Sequence, residues 1–105
     1  MKKPLSIALT VAGFLAVSQA AVAASAADLA KKKGCLACHA ADKKLVGPSY
    51  NDIAAKYKGD AGAADKLAVK VKTGGSGVWG PVPMPPNNVT PDEAKALSKW
   101  VLDHK

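Results

Sequence analysis

Apolar side chains recur at helical spacing along much of the chain, and no stretch alternates convincingly between apolar and polar positions as a β-strand would. The i, i+3, i+4, i+7 pattern predicts one helix after Ser49 and another from about Gly62 to Lys72, which ends at the glycines of TGG, 73–75. The predicted buried faces are Tyr50, Ile53, Ala54 and Tyr57 in the first of these helices and Ala64, Leu67, Ala68 and Val71 in the second.

Capping signals mark two further helices, one before and one after this pair. Ser25 is predicted to cap a helix that carries Asp28 in its first turn and Leu29 on its inner side, and that ends at Gly34. The segment TPDE, 90–93, supplies a cap, a proline at the first helical position and a capping-box glutamate for the last helix. The predicted inner face of that last helix is Ala94, Leu97, Trp100 and Val101. Four short helices without a strand predict an all-α domain.

A long segment without a helix or strand pattern, Gly74 to Asn88, lies between the last two predicted helices. With four prolines and four glycines it can be neither a helix nor a central strand. Proline fixes the backbone and glycine permits tight bends, so we expect a loop of defined shape, and long ordered loops in small domains are usually functional. A large apolar cofactor would cover its apolar residues, which are Val78, Trp79, Val82 and Met84.

The N-terminus has the features of a removable secretory signal. A basic start, MKK, precedes an uncharged apolar run from Leu5 to Val17, and AVA, 21–23, resembles a cleavage site. A membrane span needs about 20 apolar residues, and the alanine-rich stretch after the run dilutes its hydrophobicity, which disfavours an uncleaved anchor. We predict a cleaved signal peptide at residues 1–23 and one domain at residues 24–105, of 82 residues. A domain of that size usually needs a staple such as disulfides, a metal or a cofactor.

The basic character of the chain comes entirely from lysine, because the sequence contains no arginine. Removing Lys2 and Lys3 with the signal leaves 13 lysines against 8 acidic residues, a net charge of +5. Nucleic-acid readers favour arginine for base contacts and add aromatic stacking, so this class of protein is disfavoured. A lysine surface fits the long-range steering of an acidic partner, and it also fits a surface that only keeps the protein soluble.

Both cysteines and one of the two histidines lie in the five-residue segment CLACH, 35–39. Three chemistries compete for this segment: a redox-active dithiol, part of a zinc site, or the attachment point of a covalently bound haem. The C-x-x-C-H spacing is that of c-type haem attachment. Two thiols on one turn can reach the two vinyl groups of a haem, and the adjacent imidazole can then swing under the iron.

The rival chemistries lack supporting residues. A dithiol oxidoreductase places C-x-x-C after a strand of a βαβ unit, and no strand is predicted before Cys35. Structural zinc needs four ligands, and the other histidine, His104, lies beside the C-terminus, where we expect a solvated residue at a helix end. A disulfide between Cys35 and Cys38 would close too small a loop to constrain the chain. Haem attachment is therefore the favoured interpretation.

Met84 is the candidate for the second axial ligand of such a haem. Once Met1 leaves with the signal it is the only methionine, and it lies within PMPP, 83–86. A lone methionine more often fills a gap in a core, but the surrounding prolines favour a rigidly held thioether ligand. A Met/His pair raises the reduction potential and indicates electron transfer, whereas an open sixth position would indicate gas binding or peroxidase-like chemistry.

Four segments carry a resemblance to a known family: KGCLACH, LVGPSYNDIAAKY, GVWGPVPMPPN and DEAKALSKWVLDHK. From Ala27 to Lys105 the chain resembles the small bacterial class I cytochromes c of the c-551/c-552 (cytochrome c8) type. The resemblance implies the class I cytochrome c fold, with about four short helices around one covalently bound haem c and a long distal loop rich in proline and glycine.

The resemblance also implies a role for each matching residue. Cys35 and Cys38 would form thioether bonds to the haem, and His39 and Met84 would ligate its iron. Three further residues are implied around the ligands. The carbonyl of Pro48 would accept a hydrogen bond from His39. The indole N–H of Trp79 would donate to a haem propionate, and Asn87 would hydrogen-bond near the methionine sulfur. Relatives often carry an arginine facing a propionate where this chain has Lys70, and a lysine lacks the planar fork for that role.

The function implied is that of a periplasmic electron carrier with one haem, which moves one electron at a time and is not an enzyme. The implied partners are acidic redox proteins: a donor of the quinol–cytochrome c reductase type, and terminal reductases or oxidases such as cytochrome cd1 nitrite reductase, cytochrome c peroxidase or a haem–copper oxidase. We expect a monomer with no bound nucleic acid and no membrane insertion after signal cleavage. The lysines beside the attachment segment, which could steer such partners, are Lys31, Lys32, Lys33, Lys43 and Lys44. The alternative function is a ligand-binding or peroxidatic haem protein with an open sixth site.

Overall fold

The computed structural model describes the backbone of residues 19–104 and the side chains of residues 25–104. Within these residues the chain forms four α-helices and one short 3₁₀ helix. The α-helices are α1 (Gln19–Lys32), α2 (Tyr50–Lys56), α3 (Ala63–Thr73) and α4 (Pro91–Leu102), and the 3₁₀ helix is Cys35–Ala37. Residues 19–104 contain no strand, only two isolated β-bridges, which confirms the predicted all-α class.

Helix α1 begins earlier than the sequence predicts. Ser25 does not cap it, because the helix already runs from Gln19 and includes the alanine-rich segment before Ser25. Alanine is the strongest helix former, so nothing in that segment stops the helix from extending toward the N-terminus. The end is as predicted: Gly34 takes a left-handed conformation with φ 76°, and its N–H donates to the carbonyl of Lys31 at 3.2 Å.

The predicted signal peptide, residues 1–23, lies largely outside the described residues, and the predicted cleavage stays a prediction. Within the part of the chain that the structure does describe, no helix combines the length and the apolar character that crossing a bilayer requires.

Helix α4 is the element against which the others pack. Thr90 Oγ1 accepts from the N–H of Glu93 at 3.1 Å, and Glu93 Oε1 accepts from the N–H of Thr90 at 2.9 Å, so the predicted capping box is present. The hydrogen bond from Thr90 lowers the pKa of the Glu93 carboxyl. Helices α1, α2 and α3 all contact α4. The core where α1 and α4 meet consists of Ala30, Val89, Ala94 and Leu97, with side chains of α3 packed against it.

Two polar residues contribute hydrogen bonds to the helices, and the sequence predicts the role of only one of them. Ser49 Oγ accepts from the N–H of Asp52 at 3.0 Å and caps α2, as predicted. Ser98 is only 1% exposed although the predicted face of α4 leaves it out. Its hydroxyl donates to the carbonyl of Ala94 at 2.8 Å, and this bond within the helix lets a polar side chain be buried.

Candidate functional site

The segment that carries both cysteines forms one tight turn at the end of α1. Gly34 turns the chain out of the helix and the 3₁₀ helix Cys35–Ala37 follows at once. The N–H groups of Cys38 and His39 both donate to the carbonyl of Cys35, at 3.2 and 3.0 Å. Both thiols are partly buried and form no disulfide, and burial raises the pKa of the Cys35 thiol. The turn therefore gathers two thiols and an imidazole.

His39 is held by contacts on several sides of its ring. Its Nδ1 lies 2.7 Å from the carbonyl oxygen of Pro48. A carbonyl can only accept, so Nδ1 carries the proton and the lone pair of Nε2 is left to bind a metal. The ring of Tyr50 stacks on the imidazole, with 5.6 Å between centroids and 21° between planes. This fixed tautomer and orientation are what a metal-ligating histidine requires.

Gly47 is a site residue that the sequence analysis missed. A Cβ built on Gly47 would lie 2.5 Å from His39 Cε1 and 2.9 Å from Nδ1, so the imidazole occupies the space that any side chain would need. The N–H of Gly47 donates to the carbonyl of Cys38 at 2.7 Å and closes the loop between the turn and α2. The only signal in the sequence is a glycine before Pro48, which is too common in loops to identify the contact.

The loop from Gly74 to Asn88 holds Met84 by its backbone. Gly75 and Met84 exchange two N–H to carbonyl hydrogen bonds of 2.9 Å each, which pins the loop at its base. Gly74, with φ 71°, lies directly against the Met84 carbonyl, and a Cβ there would be 2.8 Å from the Pro85 carbonyl carbon. Only glycine combines this positive φ with so close an approach. Around Met84, the loop thus has the defined shape that the sequence predicts.

The side-chain amide of Asn87 ties the same loop to α3. Its Nδ2 donates to the carbonyl of Val71 at 2.9 Å and, more weakly, to that of Pro85 at 3.4 Å. Asn87 thereby ties the end of the loop to the last turn of α3, while the predicted hydrogen bond near the Met84 sulfur stays a prediction.

Trp79 lies in the exposed part of the loop, with 44% of its surface accessible. The ammonium group of Lys56, the last residue of α2, is 5.5 Å from the centroid of its indole. This distance is within the range of a cation–π interaction. The predicted hydrogen bond from Trp79 to a propionate stays a prediction, and the contact with Lys56 was not foreseen.

Two adjoining cavities lie between the cysteine turn and the loop. The larger, of about 300 Å³, is bordered by Cys38, and the smaller, of about 70 Å³, by Cys35. His39 and Met84 border both, as do Leu67 and Lys70. The larger cavity opens among the apolar residues Val46, Val78 and Val82, all at least half exposed.

This arrangement fits the haem that the sequence predicts. A nitrogen donor on a rigid turn and a thioether on a rigid loop border the same apolar space, with one thiol on each of its two parts. The ammonium group of Lys70 reaches the same region, since a Cβ on Gly75 would lie 2.9 Å from Nζ. Lys70 can offer a point charge to an acidic edge of the cofactor, and its pairing with a propionate stays a prediction.

His104 is not the solvated end-of-helix residue that we expected. Its Nδ1 donates to the carbonyl of Trp100 at 2.9 Å, and its ring centroid lies 4.7 Å from that of Trp100 and 5.0 Å from that of Tyr50. The end of α4 therefore lies beside Tyr50, the first residue of α2, which the periodicity of α4 alone does not indicate. The hydroxyl of Tyr50 is buried without a hydrogen-bond partner among the described residues, and burial raises the pKa of Tyr50 to about 12.

The rival chemistries gain no support from the described residues. A helix, not a strand, precedes Cys35, so the turn lacks the setting of a dithiol oxidoreductase. No three or more Cys, His, Asp or Glu side chains of the described part come together as a metal-binding group, so a structural zinc site has too few ligands there.

Comparison with known proteins gives consistent matches. The sequence model of the family described as Cytochrome c matches residues 23–105. Cytochrome c-551 of Pseudomonas aeruginosa is 52% identical over 103 residues, which cover 98% of this chain and 99% of that protein. Cytochrome c-552 of Hydrogenobacter thermophilus is 51% identical over 105 residues and covers all of both chains. The crystal structure of wild-type cytochrome c552 from Nitrosomonas europaea superposes with a TM-score of 0.73 at 57% identity, covering 75% of this chain and 99% of that one.

Proposed function

The chain belongs to the cytochrome c family, and on that premise we propose that it is a periplasmic shuttle for single electrons whose haem iron is ligated by His39 and Met84. Membership of the family confirms the predicted class I cytochrome c fold and the resemblance to the c-551/c-552 type. The family and the C-x-x-C-H arrangement of Cys35 and Cys38 together indicate one covalently bound haem c.

Different residues of the chain have different roles at the proposed haem site. When bound, the haem supplies a one-electron iron couple, whose potential a methionine ligand raises. Pro48 fixes the tautomer of His39 and so presents Nε2 for ligation. The bridge between Gly75 and Met84 holds the backbone of residue 84, from which the sulfur would reach the iron. The apolar residues that border the cavity would limit the access of water to a bound haem, and the open side of the cavity would leave an edge of it within reach of a partner.

One observation carries the choice of a carrier over a ligand-binding or peroxidatic protein. His39 and Met84 border the same two cavities, and each is held by backbone hydrogen bonds of its own segment. Met84 as the sixth ligand would leave no site for an external ligand, so the protein would act on no substrate of its own.

The proposal is tested by the ligand state of the purified protein. We expect the ferric protein to show the weak far-red band of methionine-to-iron charge transfer, and the ferrous protein to bind carbon monoxide poorly at neutral pH. Absorbance spectra and stopped-flow mixing with carbon monoxide measure both properties. Rapid carbon monoxide binding together with a missing far-red band would overturn the proposal in favour of an open sixth site.

We further propose that lysines steer acidic redox partners, such as terminal reductases or oxidases, toward the open side of the cavity. Lys44 borders the larger cavity, and Lys43 beside it is exposed, as are Lys31 and Lys32 at the end of α1. Attraction between opposite charges accelerates the encounter of two proteins. Salt at 0.1 M screens this attraction beyond about 10 Å.

The rate of electron transfer to an acidic partner should therefore fall as the salt concentration rises. Replacing Lys44 with glutamine should lower the rate at low salt and flatten this dependence, because a charge at the cavity mouth is removed. Lys99→Gln, which removes an exposed charge from α4, is the matched control and should change the rate less. Stopped-flow kinetics over a range of salt concentrations measure the effect. A rate that does not depend on the salt concentration would contradict the steering proposal and leave these lysines a role in solubility.

A further inference from the structure

The tip of the long loop makes its backbone contacts with itself. The N–H of Gly77 donates to the carbonyl of Gly80 at 2.8 Å, which closes a tight turn over Val78 and Trp79. Both glycines have positive φ, 108° and 112°, and a Cβ on either would meet nothing within 4 Å. Among the described residues, the backbone of the tip is joined to the rest of the fold by hydrogen bonds only at the bridge between Gly75 and Met84, so its own backbone does not determine where it lies relative to the helices.

A side-chain contact does connect the tip to a helix. Lys56 is the last residue of α2, and its Nζ lies 5.5 Å from the centroid of the Trp79 ring. Asp52 and Tyr57 of the same region border the larger cavity, as Trp79 does. The contact therefore spans the cavity mouth between α2 and the loop. A cation in the last turn of a helix is also favoured by the helix dipole.

We propose that Lys56 is a positioning residue, which holds the Trp79 indole and with it the loop tip against the end of α2, over the cavity that contains the candidate ligands. The inference rests on the proposed function, because it takes that cavity to be the haem site. An ammonium group over an indole ring gives a directional attraction that an apolar contact would lack. Lys56 thus fixes one wall of the cavity from outside it.

The test measures hydrogen exchange by NMR in the holoprotein, at the Gly77 amide and at the Trp79 indole N–H. Lys56→Met keeps an apolar stem and removes the charge, and we expect exchange at both groups to become about two- to fivefold faster, the factor that an exposed cation–π contact implies. Lys56→Arg should restore the slower exchange, since a guanidinium also stacks on an indole. Lys58→Met removes a charge two residues further along and should leave both rates unchanged.

Two further measurements separate positioning from other effects. The Tyr57 amide, which donates to Ile53 at 3.2 Å, reports on the end of α2 and should exchange at the same rate in Lys56→Met as in the natural protein. In a Trp79→Leu background, Lys56→Met should cause no additional increase at Gly77.

The inference would be overturned by unchanged exchange in Lys56→Met, by an equal increase in Lys58→Met, by a failure of arginine to restore the rate, by faster exchange at Tyr57, or by an additional increase in the Trp79→Leu background. Exchange at these groups does not report the sixth ligand. The carbon monoxide test can therefore fail while this one succeeds, and the reverse also holds.

Discussion

Replacing Met84 with alanine should convert the protein from an electron carrier into a protein that binds external ligands. The sulfur is removed from a loop whose base stays pinned through backbone groups of Gly75 and residue 84, so the cavity should persist with an open position at the iron. We expect the far-red band to disappear, carbon monoxide to bind rapidly, and the potential to fall by a substantial part of the roughly 0.8 V that axial ligands span.

Potentiometric titration and stopped-flow mixing with carbon monoxide measure these changes. Val69→Ala is the control, because it shortens a side chain of α3 that is 62% exposed and borders neither cavity. It should keep the band, the potential and the slow binding. If Met84→Ala kept the far-red band and bound carbon monoxide poorly, Met84 could not be the distal ligand.

Replacing Gly47 with alanine should disturb the position of His39, the other proposed ligand of the iron. The new methyl group would require space that the His39 ring occupies, 2.5 Å from Cε1, so either the imidazole or the backbone of the segment must shift. We expect a loss of about 1–3 kcal/mol in the free energy of unfolding, as for an overpacked core, together with a changed absorbance spectrum as the ligand geometry alters.

Denaturant titration of the holoprotein, followed by absorbance, measures both effects. Gly62→Ala is the control, because Gly62 has φ −92° and a Cβ there would meet nothing closer than 3.5 Å. It should change the unfolding free energy by less than about 1 kcal/mol. Equal midpoints for the two variants would show that the space beside His39 is not restrictive.

Features of the fold that rest on neighbouring residues could be predicted from the sequence. The capping box at Thr90, the serine cap of α2 and the glycine end of α1 are all satisfied by groups within three or four positions. The predicted start of α1 was wrong because it, too, rested on a local signal. A capping residue is a local signal, and an alanine-rich segment before it overrides that signal by its own propensity.

Features that rest on distant residues could not be predicted. His104 packs on Tyr50, 54 positions earlier, because the end of α4 lies across α2. Gly47 and Lys56 look like an ordinary loop glycine and an ordinary surface lysine until the chain folds and places them against His39 and Trp79. The ligand candidates were visible because a covalent attachment motif and a proline-flanked methionine have few other uses.

Because α4 is the last helix in the sequence, its position determines when the other helices can pack. Helices α1, α2 and α3 each find their packing partner in the last element of the sequence. During synthesis from the N-terminus, these helices therefore lack the packing partner that the described residues show for them until residues 91–102 have been made. We therefore expect chains that end before residue 91 to lack a stable core, and the core to form only when α4 is present.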